Sequence, residues 1–410
     1  MKLEFFLAKR IISTKAYKSS ISAPIIKIGI IAIALSVIVM LISISTGIGL
    51  QNEIRDKISA FNGHIIISNL DSNNSDESNL PIDITRDLLL SLDSINNIKS
   101  INQIALKFGI IRTPDNFDGV LFKGVDSSYN WNNISSYLSK GFVPEISKTT
   151  SNQVLISDNL SEKLNLSVDD SFQMIFSKNL EARAIIRKFT IVGLFDSGFN
   201  EIDDNIIFGD IKHLKKINKW KDDQSGSLEI FINDFSQISE TTKNIYLSTP
   251  NQYNTVNVKQ KYSSIFDWIK IFDKNIIAIL FIMVVVCSIN IISVLLVLIL
   301  ERTNMIGVLK SLGANNYSIK TIFLIIVSYI ISLGLIIGNV LGLGLLFIQK
   351  QFSIIKLDAE IYYTTDVPVY LSFNYVFLLN LFTFLVCLLC VLLPSYLISK
   401  ISPINSIKFR

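Results

Sequence analysis

Cysteine, histidine and proline are scarce in this 410-residue chain, at three, two and eight residues. The cysteines, Cys287, Cys387 and Cys390, all fall inside long apolar runs. Residues 49–274 therefore hold none, and that region must fold without disulfides. Cys387 and Cys390 form a C-x-x-C, but in an apolar run this reads as packing rather than redox or zinc chemistry. His64 and His213 stand apart from any Cys, His or acid cluster at ligand spacing, so no metal site is expected. There is no Gly-x-x-x-x-Gly-Lys-Ser/Thr, which excludes the usual phosphate-binding loop, and no nucleophile–base arrangement. Asp203-Asp204 and Asp222-Asp223 read as solvated loop acids. An enzyme reading has no supporting residues. Charged side chains make up only 18% of the chain. The formal charge of +4 comes from basic residues beside apolar runs, where membrane topology accounts for them and nucleic acid need not.

What the chain has in quantity is apolar sequence, at half of all residues. Four runs, 25–48, 275–300, 319–348 and 373–398, each exceed the ~20 residues that cross a bilayer as a helix. The first is too long for a signal-peptide core and is expected to stay as an anchor. Lys/Arg placement orients the spans. Residues 1–24 carry Lys2, Lys9, Arg10, Lys15 and Lys18 against Glu4, and the 301–318 connection carries Arg302 and Lys310 against Glu301. The tail, 399–410, carries Lys400, Lys408 and Arg410 with no acid. By contrast, residues 49–274 hold 29 acids and 24 bases. Both termini and the 301–318 connection are thus expected in the cytoplasm, with residues 49–274 and the 349–372 loop outside. The fold class expected is a membrane α-helical protein of four transmembrane helices, with a large extracytoplasmic α+β domain between the first and second. Residues 3–12 suit an amphipathic helix on the inner headgroup layer.

Helical and strand patterns alternate through the external region. Gln51–Phe61 reads as a continuation of the first helix, and His64–Ser68 as a strand. A loop follows at 71–79, then a helix over Thr85–Leu92. Strands are expected at Ile101–Thr113 and Val120–Val125. Val154–Ile156 leads into a helix over Asp158–Leu164, and Phe172–Phe176 and Arg187–Phe195 read as paired strands. Beyond them come a strand at Asn205–Phe208, a helix at Ile211–Ile217, a strand at Leu228–Ile232 and a helix at Ile238–Leu247. A division near residue 140 is expected.

Between the second and third apolar runs stands Glu301-Arg-Thr-Asn-Met-Ile-Gly-Val-Leu-Lys-Ser-Leu-Gly-Ala314. Ile306, Leu309 and Leu312 recur at i, i+3 and i+6, one stripe on a helix, and Gly313 suits a helix-terminating position. A short amphipathic helix that leaves and re-enters the membrane at one face suits docking on a soluble partner. This segment resembles the cytoplasmic coupling helix of permease subunits in the lipoprotein-releasing and macrolide-exporter class of ABC transporters. Their pattern is an acidic-basic pair followed by Ile-Gly-x-Leu-(Lys/Arg)-x-Leu-Gly-Ala, met here by Glu301, Arg302, Ile306, Gly307, Leu309, Lys310, Leu312, Gly313 and Ala314. The likeness extends to Phe122-Lys-Gly-Val-Asp126, to Val154–Leu166, to Phe189–Asp203 and to the ending Leu393–Ile407. It covers nearly the whole chain and is similar above all to the lipoprotein-releasing branch, within the wider superfamily of FtsX-like permeases with a MacB-like periplasmic core domain.

That resemblance implies an inner-membrane permease whose partners are a dimer of ABC ATPase subunits, a second permease subunit (homo- or heterodimer) and a lipoprotein cargo, with a periplasmic carrier as a further partner. It implies no cofactor in this chain, ATP and Mg being held by the ATPase. It places the cargo's acyl chains near the first and second spans, where Met40, Ile44, Ile48 and Asn290 become candidate path residues, with Asn290 expected to find a polar partner across a helix interface. Gly334, Gly338 and Gly342 read as a helix-packing stripe. Family members that recruit the carrier have a long hairpin where only Ser177–Ile186 stands here, which puts direct carrier binding in doubt. Two alternatives share the four spans: a macrolide-exporter-type permease, and an FtsX-type signalling protein that controls cell-wall hydrolases.

Overall fold

The computed structural model describes residues 3–13, 22–70, 77–114, 116–176 and 184–395. The expected tail 399–410, part of the 71–79 loop and most of the 177–186 connection lie outside the described residues. The chain divides into two units: Met1–Gln51, Ile269–Lys356 and Asp366–Arg410 form one, and Asn52–Trp268 with Leu357–Thr365 the other.

The first unit is built from four helices long and apolar enough to cross a membrane: Ser22–Asn62, Ser263–Glu301, Asn316–Phe352 and Phe373–Ser395. Two of them run well past their apolar stretches, and Ser263–Lys274, read from sequence as part of the external region, is the opening of the second. The helices meet through small residues. A Cβ placed on Gly338 would lie 2.8 Å from the Ala34 carbonyl oxygen and from Val37 Cβ, and one on Gly334 2.7 Å from Ile33 Cγ2. Gly342 faces Leu41 Cδ1 at 3.0 Å in the same sense. The stripe on the third helix thus lets it approach the backbone of the first. Gly29 and Gly47 do the same for the second helix, against Val294 and Ile276. Cys287 and Cys387 are fully buried in this core. The third and fourth helices are joined by a reciprocal amide pair. Asn339 Nδ2 donates to Asn380 Oδ1 at 2.6 Å, and Asn380 Nδ2 returns a bond at 2.9 Å.

In the second unit a mixed sheet of ten strands carries the fold. Its strands, in a set of twelve, are β1 (Ile65–Asn69), β3 (Ile98–Arg112), β4 (Phe117–Val125), β5 (Leu138–Gly141), β6 (Gln153–Ser157), β7 (Ser171–Phe176), β8 (Ile185–Phe195), β9 (Ile206–Asp210), β11 (Ser227–Ile232) and β12 (Tyr253–Asn257); β2 (Ile82–Asp83) and β10 (Gln224–Ser225) pair separately. The fifteen residues of β3 serve three neighbours. Residues 104–112 pair with β4, while the opposite edge pairs first with β11 and then, from Gly109, with β7. Because β7 also pairs with β8, the path β3–β4–β9–β6–β8–β7 closes into a ring. Phe122, Phe176, Phe189, Val154, Ile156 and Ile191 fill its interior without exposure. The ring overturns the expected division near residue 140, since β4, β5 and β6 on either side of it belong to one sheet. Local chemistry starts its helices. Ser157 accepts from Leu160 N at 3.1 Å ahead of helix Asp158–Leu164, and Thr85 accepts from Leu88 N at 3.2 Å ahead of Arg86–Asp93, each meeting an amide left free at a helix start.

Candidate coupling site

Helix Ser263–Glu301 stops at Arg302, and a new helix, Thr303–Ser311, begins at once. Its end is closed by two hydrogen bonds, Gly313 N to the Lys310 carbonyl and Ala314 N to that of Leu309, both 3.0 Å. That is a Schellman pattern, and it needs a left-handed residue at the third helix-flanking position. Gly313 supplies it at φ +90°. No atom lies within 4 Å of a Cβ placed there, so conformation and not space makes the position a glycine. Asn315 then caps the third long helix, accepting from Ser318 N at 2.7 Å. The turn is rigid and short because each backbone group leaving one helix is taken up before the next begins.

The stripe expected to face a partner does not face outward as a whole. Ile306 has no exposed surface, and Leu309 packs half-buried, with Met305 and Ala314, on the core of the four-helix unit. Gly307 is buried too. An apolar stripe beside apolar helices is buried first against its own chain. What the helix leaves outside is its other side: Asn304, Val308, Ser311 and Leu312, at i, i+4, i+7 and i+8. Leu312 is 79% exposed, and Leu300 and Tyr317 are comparably open at the two ends of the segment. Glu301 is exposed, whereas Arg302 and Lys310 are half-buried. The N-terminal helix, Leu3–Ser13, lies by the start of the third long helix, with Ala8 buried and Ser318 Oγ donating to Glu4 Oε1 at 3.1 Å. It leaves Phe5, Phe6, Lys9 and Arg10 open.

Over its length the chain matches two family models: the MacB-like periplasmic core domain over residues 28–262 and the FtsX-like permease C-terminal domain over residues 277–403. The chain belongs to the family of FtsX-like permeases with a MacB-like periplasmic domain. It is similar to the lipoprotein-releasing system transmembrane protein LolC of Buchnera aphidicola from Schizaphis graminum, 26% identical over 92% of each chain. The protein of that name from Xylella fastidiosa strain 9a5c is 20% identical over 93% of each. The solved periplasmic region of MacB from Actinobacillus actinomycetemcomitans overlaps 51% of this chain and 95% of its own, at 14% identity and a TM-score of 0.34, too slight an overlap to guide the fold. The permease is an ABC-transporter subunit and a multi-pass protein of the inner membrane.

Elsewhere the path residues named from sequence separate. Met40 is fully buried in the four-helix core, and Ile44 and Ile48 are half-buried. The Asn290 amide donates to the Val286 carbonyl of its own helix at 2.9 Å, rather than across an interface. The cross-helix amide contact is the Asn339–Asn380 pair, which the sequence reading missed. Both are single polar residues in the third and fourth apolar runs, and that was the available signal.

A second missed feature sits in the external unit at the end of the first long helix. Phe61 is fully buried, its ring 5.2 Å from that of Phe195 and 5.4 Å from that of Tyr137. Lys123 Nζ donates to the Phe61 carbonyl at 2.7 Å and to Glu229 Oε1 at 2.8 Å. Both charged groups are almost wholly buried. Burial pushes the lysine pKa down and the glutamate pKa up, against their mutual attraction. A buried pair of this kind is weak evidence of stability but strict about geometry. It fixes where Phe61 ends its helix on the sheet.

Proposed function

We propose that this permease couples ATP hydrolysis in a cytoplasmic ATPase dimer to movement of its external domain, and so releases lipoproteins from the inner membrane for delivery to the outer membrane. In this reading the outward face of helix Thr303–Ser311, with Val308 and Leu312 at its centre, docks on the ATPase, and Glu301, Arg302 and Lys310 set register. Both termini face the cytoplasm. ATP and Mg belong to the ATPase, and a second permease subunit completes the path. The carrier meets the cargo without a long hairpin from this chain.

The observation that carries the reading is the short helix itself: closed at both ends by its own backbone, seated on its own bundle, and left with an uncovered apolar face. The likeness to lipoprotein-releasing proteins along the whole chain supplies the cargo class. The test is co-purification of the tagged chain from native membranes, followed by mass spectrometry. A small ATPase recovered with acylated lipoproteins is the expected result. An ATPase recovered with a cell-wall hydrolase and no lipoprotein would replace this reading with the signalling alternative.

A further inference from the structure

The loop between the third and fourth long helices belongs, over Leu357–Thr365, to the external unit. It is closed on itself. Leu357 N donates to the Thr365 carbonyl at 2.8 Å, and Tyr362 N to that of Asp358 at 2.9 Å, around the short helix Ala359–Tyr362. Its next residue, Tyr363, takes a left-handed conformation at φ +56°. A non-glycine aromatic there is strained and persists only where its surroundings hold it.

Those surroundings are specific. The Tyr363 ring lies 4.6 Å from that of Phe199, itself almost fully buried, and 5.8 Å from that of Trp268 in an edge-on contact. Its carbonyl accepts from Lys57 Nζ at 3.3 Å. Lys57 sits on the long first helix, with Glu53 one turn before it at 3.8 Å. Gly198 closes over the ammonium: a Cβ there would lie 3.0 Å from Lys57 Nζ, and the residue is left-handed at φ +64°. The 196–204 loop that carries Gly198 and Phe199 is tied in turn by Asp203, which accepts from Ser197 N, Ser197 Oγ and Phe199 N. One strained residue thus meets three separate parts of the external unit.

We propose that residues 357–365 form a strap that clamps the external domain, with Tyr363 as its plug and Lys57 as the residue that positions it, and that the strap opens and recloses in each transport cycle. The cyclic opening rests on the coupling function proposed above; the clamp does not. A strained plug is suited to the task. Leaving the site relieves the left-handed conformation, so the open and closed states lie near in energy although the closed one has the better contacts.

Hydrogen exchange on the full chain in lipid nanodiscs tests both parts, following peptides over 357–365 and 196–204. Tyr363→Phe keeps the ring and should exchange like the wild type. Tyr363→Asn tolerates the backbone but loses the ring, and Lys57→Met keeps the stem but loses the donor. Both should exchange at least tenfold faster in the two peptides together. Faster exchange confined to 357–365, or no change, overturns the clamp. Cycling is read on the wild type with its co-purified ATPase, nucleotide-free and trapped with ATP and vanadate. Protection of the two peptides should differ between these states, and equal protection in a complex that hydrolyses ATP overturns cyclic opening. A complex without ATPase activity instead counts against the coupling reading, with the clamp judged on the variants alone.

Discussion

At the residue scale, burial decides what single polar groups do in this protein. His64 stands where the first long helix gives way to β1. Its Nδ1 accepts from Ile232 N at 2.9 Å, and its ring meets those of Phe231 and Phe235, both at 5.4 Å. Only the neutral imidazole can accept that bond. Burial, with Arg55 and Lys99 adding to it, pulls the pKa from 6.5 to about 4. Between those values the folded chain binds fewer protons than the unfolded one, so stability rises with pH across the window and is lost as pH falls from 6.5 towards 4. Asp203 works the other way. Burial raises its pKa to about 6, so it favours the folded state as pH drops through 6. The quantity to measure is therefore a difference between variants. His64→Asn keeps an acceptor and cannot be protonated. Calorimetry of the full chain in nanodiscs should show the external transition of the wild type losing on the order of 2 kcal/mol relative to this variant between pH 7 and pH 4. Parallel curves for the two would remove His64 from the account.

At the scale of elements, the four-helix unit depends on how closely helices approach. In a bilayer, apolar surface alone gives little drive for association, and packing at small residues takes its place. Gly338 touches the backbone of the first helix, whereas Gly344, two residues beyond the stripe, has nothing within 4 Å of a Cβ. Gly338→Leu should therefore cost about 1–3 kcal/mol through overpacking and lower the thermal unfolding midpoint in detergent. Gly344→Ala should leave the midpoint unchanged or slightly raised. Equal effects at the two sites would count against the stripe as the contact. The stripe was legible because period four in glycine has few other uses in an apolar run. Most strands and helices of the external unit were legible as well, through alternation in β3 and through Ser157 and Thr85 as caps. The closure of the sheet was not. It depends on β7 meeting β3 and β8 at once, and a pairing between strands some sixty residues apart leaves no local trace. β5 and β12 escaped for a related reason: Leu138–Gly141 is nearly all exposed and Tyr253–Asn257 is mostly polar, so neither shows an apolar pattern.

At the scale of the whole molecule, the coupling helix shows why periodicity finds a stripe but not what covers it. Ile306, Leu309 and Leu312 are equivalent on a helical wheel, yet the first two are held by the permease's own helices and only the third is open. The two faces make different predictions. Leu309→Asp puts a carboxylate against the core of the four-helix unit, where an unpaired charge is costly, so it should reduce the yield of folded, inserted protein. Leu312→Asp and Val308→Asp put the same charge on the outer face. These should insert and purify normally, with thermal unfolding unchanged, and lose at least tenfold in affinity for the ATPase, about 1.4 kcal/mol. Pull-down of the ATPase on the tagged variants, scored beside their thermal midpoints, separates the cases. Full ATPase recovery on Leu312→Asp with normal folding would mean that the partner docks elsewhere. The N-terminal helix, with Phe5, Phe6, Lys9 and Arg10 open beside the same end of the third long helix, would then be the next surface to substitute.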